Sequence, residues 1–136
     1  MKDFISFISG IQQEYTLIDL KSARSIYKPR DPFSNKGTYG HALLLAGSYG
    51  KIGAALLAAK GCLRGGAGLL TAHLPSCGYN IMQTAVPEAM VLTDPLPHEI
   101  STLPEDLDPY RVIAAGPGIG PGKSAKGMVK KLLENY

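Results

Sequence analysis

Cysteine and charge are both scarce in this sequence of 136 residues, and each scarcity excludes a class of protein. Two cysteines, Cys62 and Cys77, cannot build a disulfide scaffold, so we expect reduced thiols and a cytoplasmic protein. Charged residues make up 18% of the chain and the net charge is +3, without the concentrated basic face of a nucleic-acid-binding protein. The sequence therefore predicts no nucleic-acid partner. Because no apolar stretch approaches the length of a transmembrane helix, it predicts no membrane partner either.

Lysine and arginine are missing between Arg64 and Arg111, where acidic residues accumulate. These acidic residues are Glu88, Asp94, Glu99, Glu105, Asp106 and Asp108. We interpret this part of the chain as a solvated acidic loop rather than a metal site. His41, His73 and His98 have no metal-ligand spacing, and we expect the first two at strand borders and the third in a loop. The sequence therefore predicts no metal site.

A βαβ unit over residues 35–75 organises the rest of the chain. Residues 42–46 and 69–74 are short apolar runs that predict buried strands. Between them, apolar residues at helical spacing predict the helix Ile52–Arg64, which a cluster of glycines ends. Glycine and alanine are frequent in this helix, so we expect it to lie close to the sheet and to offer its N-terminus to an anion. Tight packing without a ligand is the alternative.

The remaining residues alternate between further helices and strands. The pattern predicts helices over residues 1–14, 77–85 and 123–136, strands over 88–93 and 111–115, and a proline-rich loop over 94–109. Residues 15–34, which include Pro29 and Pro32, predict an extended linker. This alternation predicts an α/β fold with a doubly wound, mainly parallel sheet. Since no further strand follows the last helix, we expect only part of such a domain.

A glycine-rich turn over residues 116–122 is a second candidate site. It follows a predicted strand, and ligands of open α/β sheets bind at the carboxyl ends of strands. A P-loop is excluded because Pro117 stands where that motif requires glycine and removes an N–H group. The glycines at 47, 50 and 53 do not match the dinucleotide-binding fingerprint either. Lys36 and Lys51 flank the first turn and are able to neutralise a phosphate; the alternatives are surface lysines and turns without a ligand.

Several motifs occur in an order that is typical of one family. They are Lys36-Gly37, Tyr39-Gly40, Gly47-Ser48, Gly53-Ala54, Leu63-Arg64-Gly65-Gly66-Ala67-Gly68-Leu69, Pro87-Glu88-Ala89-Met90 and Gly116-Pro117-Gly118-Ile119-Gly120. With this order the sequence resembles the ADP/ATP-dependent NAD(P)H-hydrate dehydratases, the carbohydrate-kinase-like domain of YjeF-related proteins, from about Tyr15 to Tyr136. Asn35 stands where the family often has histidine, and Ala55 stands where it often has proline.

The resemblance implies a ribokinase-like fold and the repair of NADHX and NADPHX, the hydrated forms of the nicotinamide cofactors. It implies that a phosphoryl group from ATP or ADP, with Mg²⁺, is transferred to the hydroxyl of the hydrate, and that loss of phosphate restores the dihydronicotinamide ring. By their positions in the family motifs, Ala54 and Gly118 are expected to contact the hydrate. Gly53, Gly116 and Gly120 are expected to shape the same pocket.

One departure from the family is large, because family domains are considerably longer and carry their catalytic aspartate in a Gly-Thr-Gly-Asp-type motif of the second half. We therefore expect residues 15–136 to be the amino-terminal part of the dehydratase domain, without a catalytic residue and inactive alone. Residues 1–14 are expected to be the tail of a preceding epimerase domain. The expected partners are the hydrate and either a second copy of the chain or a complementing half of the domain.

Two alternatives remain open from the sequence alone. One is a ribokinase-type kinase that acts on a sugar or a vitamin precursor. The other is a non-catalytic assembly module, because half of a domain leaves a sheet edge unpaired. The dehydratase interpretation requires Ala54 and Gly118 to lie at the same end of the sheet.

Overall fold

The computed structural model describes residues 18–27 and 29–135, so the helix predicted over residues 1–14 lies outside the described residues. The chain divides into two units between Pro32 and Phe33. In the first unit, α1 (Leu20–Ile26) begins after Asp19, whose carboxylate accepts a hydrogen bond of 2.7 Å from the Ser22 amide. The extended linker predicted over residues 15–34 is therefore wrong at this helix, because an aspartate N-cap stabilises it.

The second unit alternates strands and helices. Its strands are β1 (His41–Leu45), β2 (Leu69–Pro75), β3 (Met90–Asp94) and β4 (Val112–Ala115), and its helices are α2 (Ile52–Arg64), α3 (Tyr79–Ala85) and α4 (Lys123–Asn135). Short 3-10 turns, Lys36–Tyr39 and Ser76–Gly78, precede β1 and α3. The helix predicted over residues 52–64 is confirmed at both ends. The strand predicted over residues 88–93 begins later, because a turn closed by the Ala89 amide and the Val86 carbonyl precedes it.

The four strands form one parallel sheet in the order β3-β2-β1-β4. In the central strand β1, Leu43 pairs with Thr71 of β2 on one side and with Ile113 of β4 on the other. On the far side of β2, Thr71 also pairs with Met90 of β3. Within the described part of the chain, β3 and β4 are thus the edges of the sheet. The predicted α/β fold with a parallel sheet is confirmed.

Alternate side chains of β1 belong to two apolar layers on opposite faces of the sheet. Leu44 lies in the layer that contains Ala55 of α2, whereas Leu43 and Leu45 lie in the layer that contains Met128 of α4. Helices therefore cover both faces, as a doubly wound sheet requires. Burying one leucine side chain contributes about 2 kcal/mol, so the central strand contributes strongly to both layers.

Alanine allows α2 to lie close to the sheet. Ala55 and Ala59 are fully buried, whereas Gly53 and Gly61 lie on the exposed side, with no heavy atom within 4 Å of the position that a Cβ would take.

Helices α2 and α4 are 13 residues long. Over residues 18–27 and 29–135, no helix has both the length and the apolar character needed to cross a bilayer.

Candidate functional site

The candidate site lies where the order of the strands reverses. From β1 the chain runs outward through β2 to β3, and it then returns to place β4 on the other side of β1. The carboxyl ends of β1 and β4 therefore meet at a topological switch point, which is the usual ligand site of an open α/β sheet. Two backbone hydrogen bonds join the segments there. Gly47 donates to the Pro117 carbonyl over 2.8 Å, and Gly116 donates to the Leu45 carbonyl over 3.2 Å.

The first glycine loop, residues 46–51, connects β1 to α2. Gly47 and Gly50 have φ angles of 85° and 75°, which side chains other than glycine rarely adopt. Lys51 is the N-cap residue of α2, and no side chain caps this end of the helix by a hydrogen bond. The N–H groups of the first turn and the positive end of the helix dipole therefore favour an anion in front of α2.

The second glycine loop, residues 116–122, connects β4 to α4. Three of its glycines have positive φ, namely Gly116 at 139°, Gly118 at 74° and Gly120 at 80°. A Cβ on Gly118 would lie 2.8 Å from the Lys51 carbonyl oxygen and 3.1 Å from the Cβ of Ala54. The Ser48 hydroxyl donates a hydrogen bond of 2.6 Å to the Gly118 carbonyl. Ala54 and Gly118 thus lie side by side at one end of the sheet, which confirms the placement that a shared pocket requires.

The predicted site residues differ in the space in front of them. Gly53 and Gly116 have no heavy atom within 4 Å of the Cβ position, and Gly120 has only the Ser48 hydroxyl, at 3.8 Å. The start of α2 instead fills the space in front of Gly118. A ligand can therefore approach the backbone at three of these glycines, while Gly118 sets the distance between the second loop and the helix. What these residues bind stays a prediction.

The two glycine loops offer backbone donors and a lysine, but no acidic side chain, over residues 46–54 and 116–122. The prediction that Lys36 flanks the first turn is wrong. Its carbonyl lies against Gly68, immediately before β2, at the opposite end of the strands.

No three histidine, cysteine, aspartate or glutamate side chains of the described residues are grouped to hold a metal ion. Because Mg²⁺ prefers carboxylate and phosphate oxygens, the loops themselves do not fit this ion.

Asp94 is a buried carboxylate at the end of β3, and the solvated acidic loop predicted for it is wrong. It is 2% exposed, and it accepts hydrogen bonds from the amides of Leu96, Ser101 and Thr102 and from the hydroxyls of the last two residues. Burial by itself raises the pKa of Asp94, but these hydrogen bonds outweigh burial and lower the pKa to about 2. The carboxylate is therefore ionised at neutral pH.

The three histidines have different surroundings. The prediction of a strand border is wrong for His73, which lies within β2, is 4% exposed and has its Nε2 atom 3.4 Å from Asp94. Burial lowers the pKa of His73 more than the carboxylate raises it, so its imidazole is neutral at pH 7. His41 begins β1, as predicted, with its Nε2 atom 2.8 Å from the Thr71 hydroxyl. His98 lies in the segment between β3 and β4, as predicted.

The fold and the two glycine loops define a doubly wound α/β protein with a glycine-rich candidate site at the switch point of its sheet. The model of one family, NAD(P)H-hydrate dehydratase, matches residues 42–136 of the chain. The chain belongs to this family.

Relatives of known function and structure agree with this assignment. The chain is 38% identical over 110 residues to the ADP-dependent (S)-NAD(P)H-hydrate dehydratase of Bacillus subtilis, covering 81% of the chain and 39% of that enzyme. It is 32% identical over 133 residues to the bifunctional NAD(P)H-hydrate repair enzyme of Coxiella burnetii, covering 95% of the chain and 26% of that enzyme. The crystal structure of the Bacillus subtilis ADP/ATP-dependent enzyme, co-crystallised with ATP and Mg²⁺, superposes with a TM-score of 0.69.

That crystal structure is 36% identical in sequence, and the match covers 84% of this chain and 40% of the crystallised enzyme. The chain therefore spans two fifths or less of the length of these three relatives. A ribokinase-like superfamily protein of Enterococcus faecalis, 22% identical with a TM-score of 0.73, shows the fold alone.

Proposed function

We propose that this chain takes part in the repair of nicotinamide cofactors, as the part of an ADP/ATP-dependent NAD(P)H-hydrate dehydratase that holds the hydrate. The contact between Gly118 and Ala54 carries the proposal, because it joins the two motifs to which the family resemblance assigns the hydrate. The names of the relatives support the same substrate, since these enzymes are called NAD(P)H-hydrate dehydratases and repair enzymes.

The two glycine loops suit a phosphate-bearing nicotinamide compound. Bare backbone at Gly53 and Gly116 allows a dinucleotide to lie close, and the N-terminus of α2 with Lys51 favours its phosphates. In the proposed reaction, the hydroxyl group of the hydrate loses its proton to a base, and its oxygen takes the terminal phosphoryl group of ATP or ADP. The bond from that phosphorus to the bridging oxygen breaks, and ADP or AMP leaves. The oxygen of the hydrate then leaves as inorganic phosphate while a proton leaves the neighbouring carbon, and the double bond of the dihydronicotinamide ring is restored.

The nucleotide and Mg²⁺ belong to the proposed reaction, although the glycine loops contain no carboxylate to hold a metal. Phosphoryl transfer requires the nucleotide, the metal and a base to be positioned together. We therefore assign no catalytic residue to the chain and expect these 136 residues alone to bind the hydrate without dehydrating it. A cytoplasmic location, where the free thiols of Cys62 and Cys77 stay reduced, is part of the same proposal.

Gly53→Leu and its matched control Gly61→Leu test the substrate assignment. Both glycines lie on the exposed side of α2 with nothing within 4 Å of the Cβ position, so leucine fits at both positions and affects the helix similarly. Leucine at position 53 occupies the space beside Ala54, whereas leucine at position 61 lies about two turns away. Titration calorimetry with NADHX gives the dissociation constant of each variant, and absorbance reports NADH when ATP and Mg²⁺ are added.

We expect the wild-type chain to bind NADHX, Gly53→Leu to weaken binding at least about tenfold, and Gly61→Leu to change it less than about twofold. Equal weakening by the two substitutions, or no binding by the wild-type chain, would overturn the proposal. NADH formed by the chain alone would contradict the expected inactivity and would leave the substrate assignment intact.

The open side of β4 supports a proposal about assembly. Val112 is 55% exposed, and Ala114 and Ala115 are exposed as well. Among the described strands β4 pairs only with β1, so its other side presents unpaired backbone groups. We propose that a second copy of the chain or a complementing half of the domain covers this edge. Light scattering after size-exclusion chromatography tests the proposal, and a stable, non-aggregating monomer without any partner would contradict it.

A further inference from the structure

Segment 95–102, which follows β3, is closed into a loop by one carboxylate. Asp94 accepts a hydrogen bond of 2.9 Å from the Leu96 amide at the start of the segment. At the end of the segment it accepts four more, of 2.7 to 3.0 Å, from the amides and hydroxyls of Ser101 and Thr102. Ile100 is fully buried in the apolar layer under α4, so the segment is also fixed to the core.

The middle of this segment contacts the chain that follows β1 and β2. The Tyr49 amide, in the first glycine loop, donates a hydrogen bond of 2.8 Å to the His98 carbonyl, and the two rings meet edge to face at 4.8 Å. The Cys77 amide, just after β2, donates a hydrogen bond of 3.2 Å to the Pro97 carbonyl. The segment therefore bonds to the turn that opens α2 and to the turn that opens α3.

The same segment also contacts the chain that follows β4. The Ser124 hydroxyl, in the first turn of α4, donates a hydrogen bond of 2.9 Å to the Glu99 carboxylate. Gly122 lies so close to this carboxylate that a Cβ there would be 2.5 Å from its Oε2 atom. Segment 95–102 thus touches both glycine loops or their continuations.

We propose that Asp94 is a positioning residue of the candidate site, because by closing segment 95–102 it fixes the places of the first glycine loop and of the start of α4. The role in shaping a pocket for the hydrate rests on the proposed function, whereas the role in holding the loops does not. Tyr49 is 70% exposed and Gly50 has nothing within 4 Å of its Cβ position, so few other contacts hold these two residues of the loop.

Aspartate suits this position because five N–H and O–H groups of Leu96, Ser101 and Thr102 donate to it, besides the His73 Nε2 atom at 3.4 Å, and a carboxylate only accepts. Asparagine has the same shape, but its NH₂ group would face N–H and O–H groups and leave buried donors without an acceptor. Asp94→Asn therefore releases the segment with little change of volume. Asp108→Asn is the matched control, since Asp108 is exposed and lies outside the segment.

Amide hydrogen exchange on the full chain tests the proposal without a ligand. In Asp94→Asn we expect the amides of Tyr49 and Cys77, whose acceptors lie in the segment, to exchange at least about tenfold faster. The amides of Gly47 and Gly116, whose acceptors lie elsewhere, are expected to change less than about twofold. Asp108→Asn is expected to leave all four amides unchanged. Unchanged protection at Tyr49 and Cys77, or equal loss at all four amides, would overturn the proposal.

A milder double substitution covers the case in which Asp94→Asn does not fold. Ser101→Ala with Thr102→Val removes the two hydroxyl donors and keeps the three amide donors. We expect the same pattern of exchange, about threefold in size, and an NADHX dissociation constant raised by a similar factor. Faster exchange at Tyr49 with unchanged NADHX binding would overturn the role in the pocket alone. If the wild-type chain does not bind NADHX, the proposed function fails, and the exchange pattern still decides whether Asp94 holds the loops.

Discussion

Two regions of the candidate site, the pair of glycine loops and segment 95–102, are held in place by different chemical groups. The glycine loops after β1 and β4 hold each other through backbone groups, such as the 2.8 Å bond from the Gly47 amide to the Pro117 carbonyl. Segment 95–102, after β3, is held instead by one buried carboxylate and by side-chain hydroxyls. The first region depends on the absence of side chains, and the second depends on one particular side chain. Substitutions should therefore damage the two regions by different mechanisms.

The largest effect is expected from Gly118→Ala. The residue has a φ of 74°, and an added Cβ would lie 2.8 Å from the Lys51 carbonyl oxygen, which belongs to the backbone and cannot rotate away. Backbone strain and this overlap together are expected to lower the free energy of unfolding by about 3 kcal/mol. Urea denaturation followed by circular dichroism measures this change.

Gly127→Ala is the matched control for Gly118→Ala. Gly127 lies inside α4, is exposed, and has nothing within 4 Å of its Cβ position. Alanine there is expected to raise the free energy of unfolding by about 0.5–1 kcal/mol. A loss at position 118 no larger than the change at position 127 would show that the second glycine loop shifts freely, against the backbone-built character of this region.

An effect of intermediate size is expected from titrating Asp94 with acid. Its pKa is about 2, below the ordinary 3.8, so the anion stabilises the folded state above pH 4 and this contribution is lost as the pH falls towards 2. The shift corresponds to about 2 kcal/mol of stability at neutral pH. Stability curves of the wild type and Asp94→Asn, measured by urea between pH 7 and pH 2, should therefore converge in acid.

Asp108→Asn again provides the comparison, because its side chain is exposed. Its stability curve should run parallel to that of the wild type over the whole range. If the difference in the free energy of unfolding between wild type and Asp94→Asn stays constant from pH 7 to pH 2, the negative charge of Asp94 does not stabilise the folded state.

The sequence predicted the two glycine loops well and the hydrogen bonds that hold segment 95–102 poorly. Helical spacing located α2 at both ends, and Ala54 and Gly118, which the motifs assign to one site, lie side by side. Glycines at turns leave a local signal, because few other residues adopt their φ angles. What the five predicted residues bind is not decided by this placement.

The network around Asp94 leaves no such signal. Its partners lie two, seven and eight residues away, a spacing that matches neither a helix nor a strand. The high density of acids and prolines between Arg64 and Arg111 favoured the prediction of a solvated loop. No local pattern in the sequence indicated that the side chain of His73 is buried in the sheet. One clue was available, since an aspartate that directly ends an apolar run and precedes a Ser-Thr pair can accept several local hydrogen bonds.

Among the substitutions within the candidate site, Ser48→Ala should have the smallest effect on stability. The Ser48 hydroxyl is the side-chain link in an otherwise backbone-built contact, donating 2.6 Å to the Gly118 carbonyl. Because the acceptor is neutral, its removal is expected to lower the free energy of unfolding by about 1 kcal/mol, less than the loss of the Asp94 anion. Urea denaturation of Ser48→Ala beside Ser124→Ala, which removes a hydroxyl donor to Glu99, compares the two regions directly. If Ser48→Ala cost as much as Gly118→Ala, side chains rather than backbone would hold the glycine loops together.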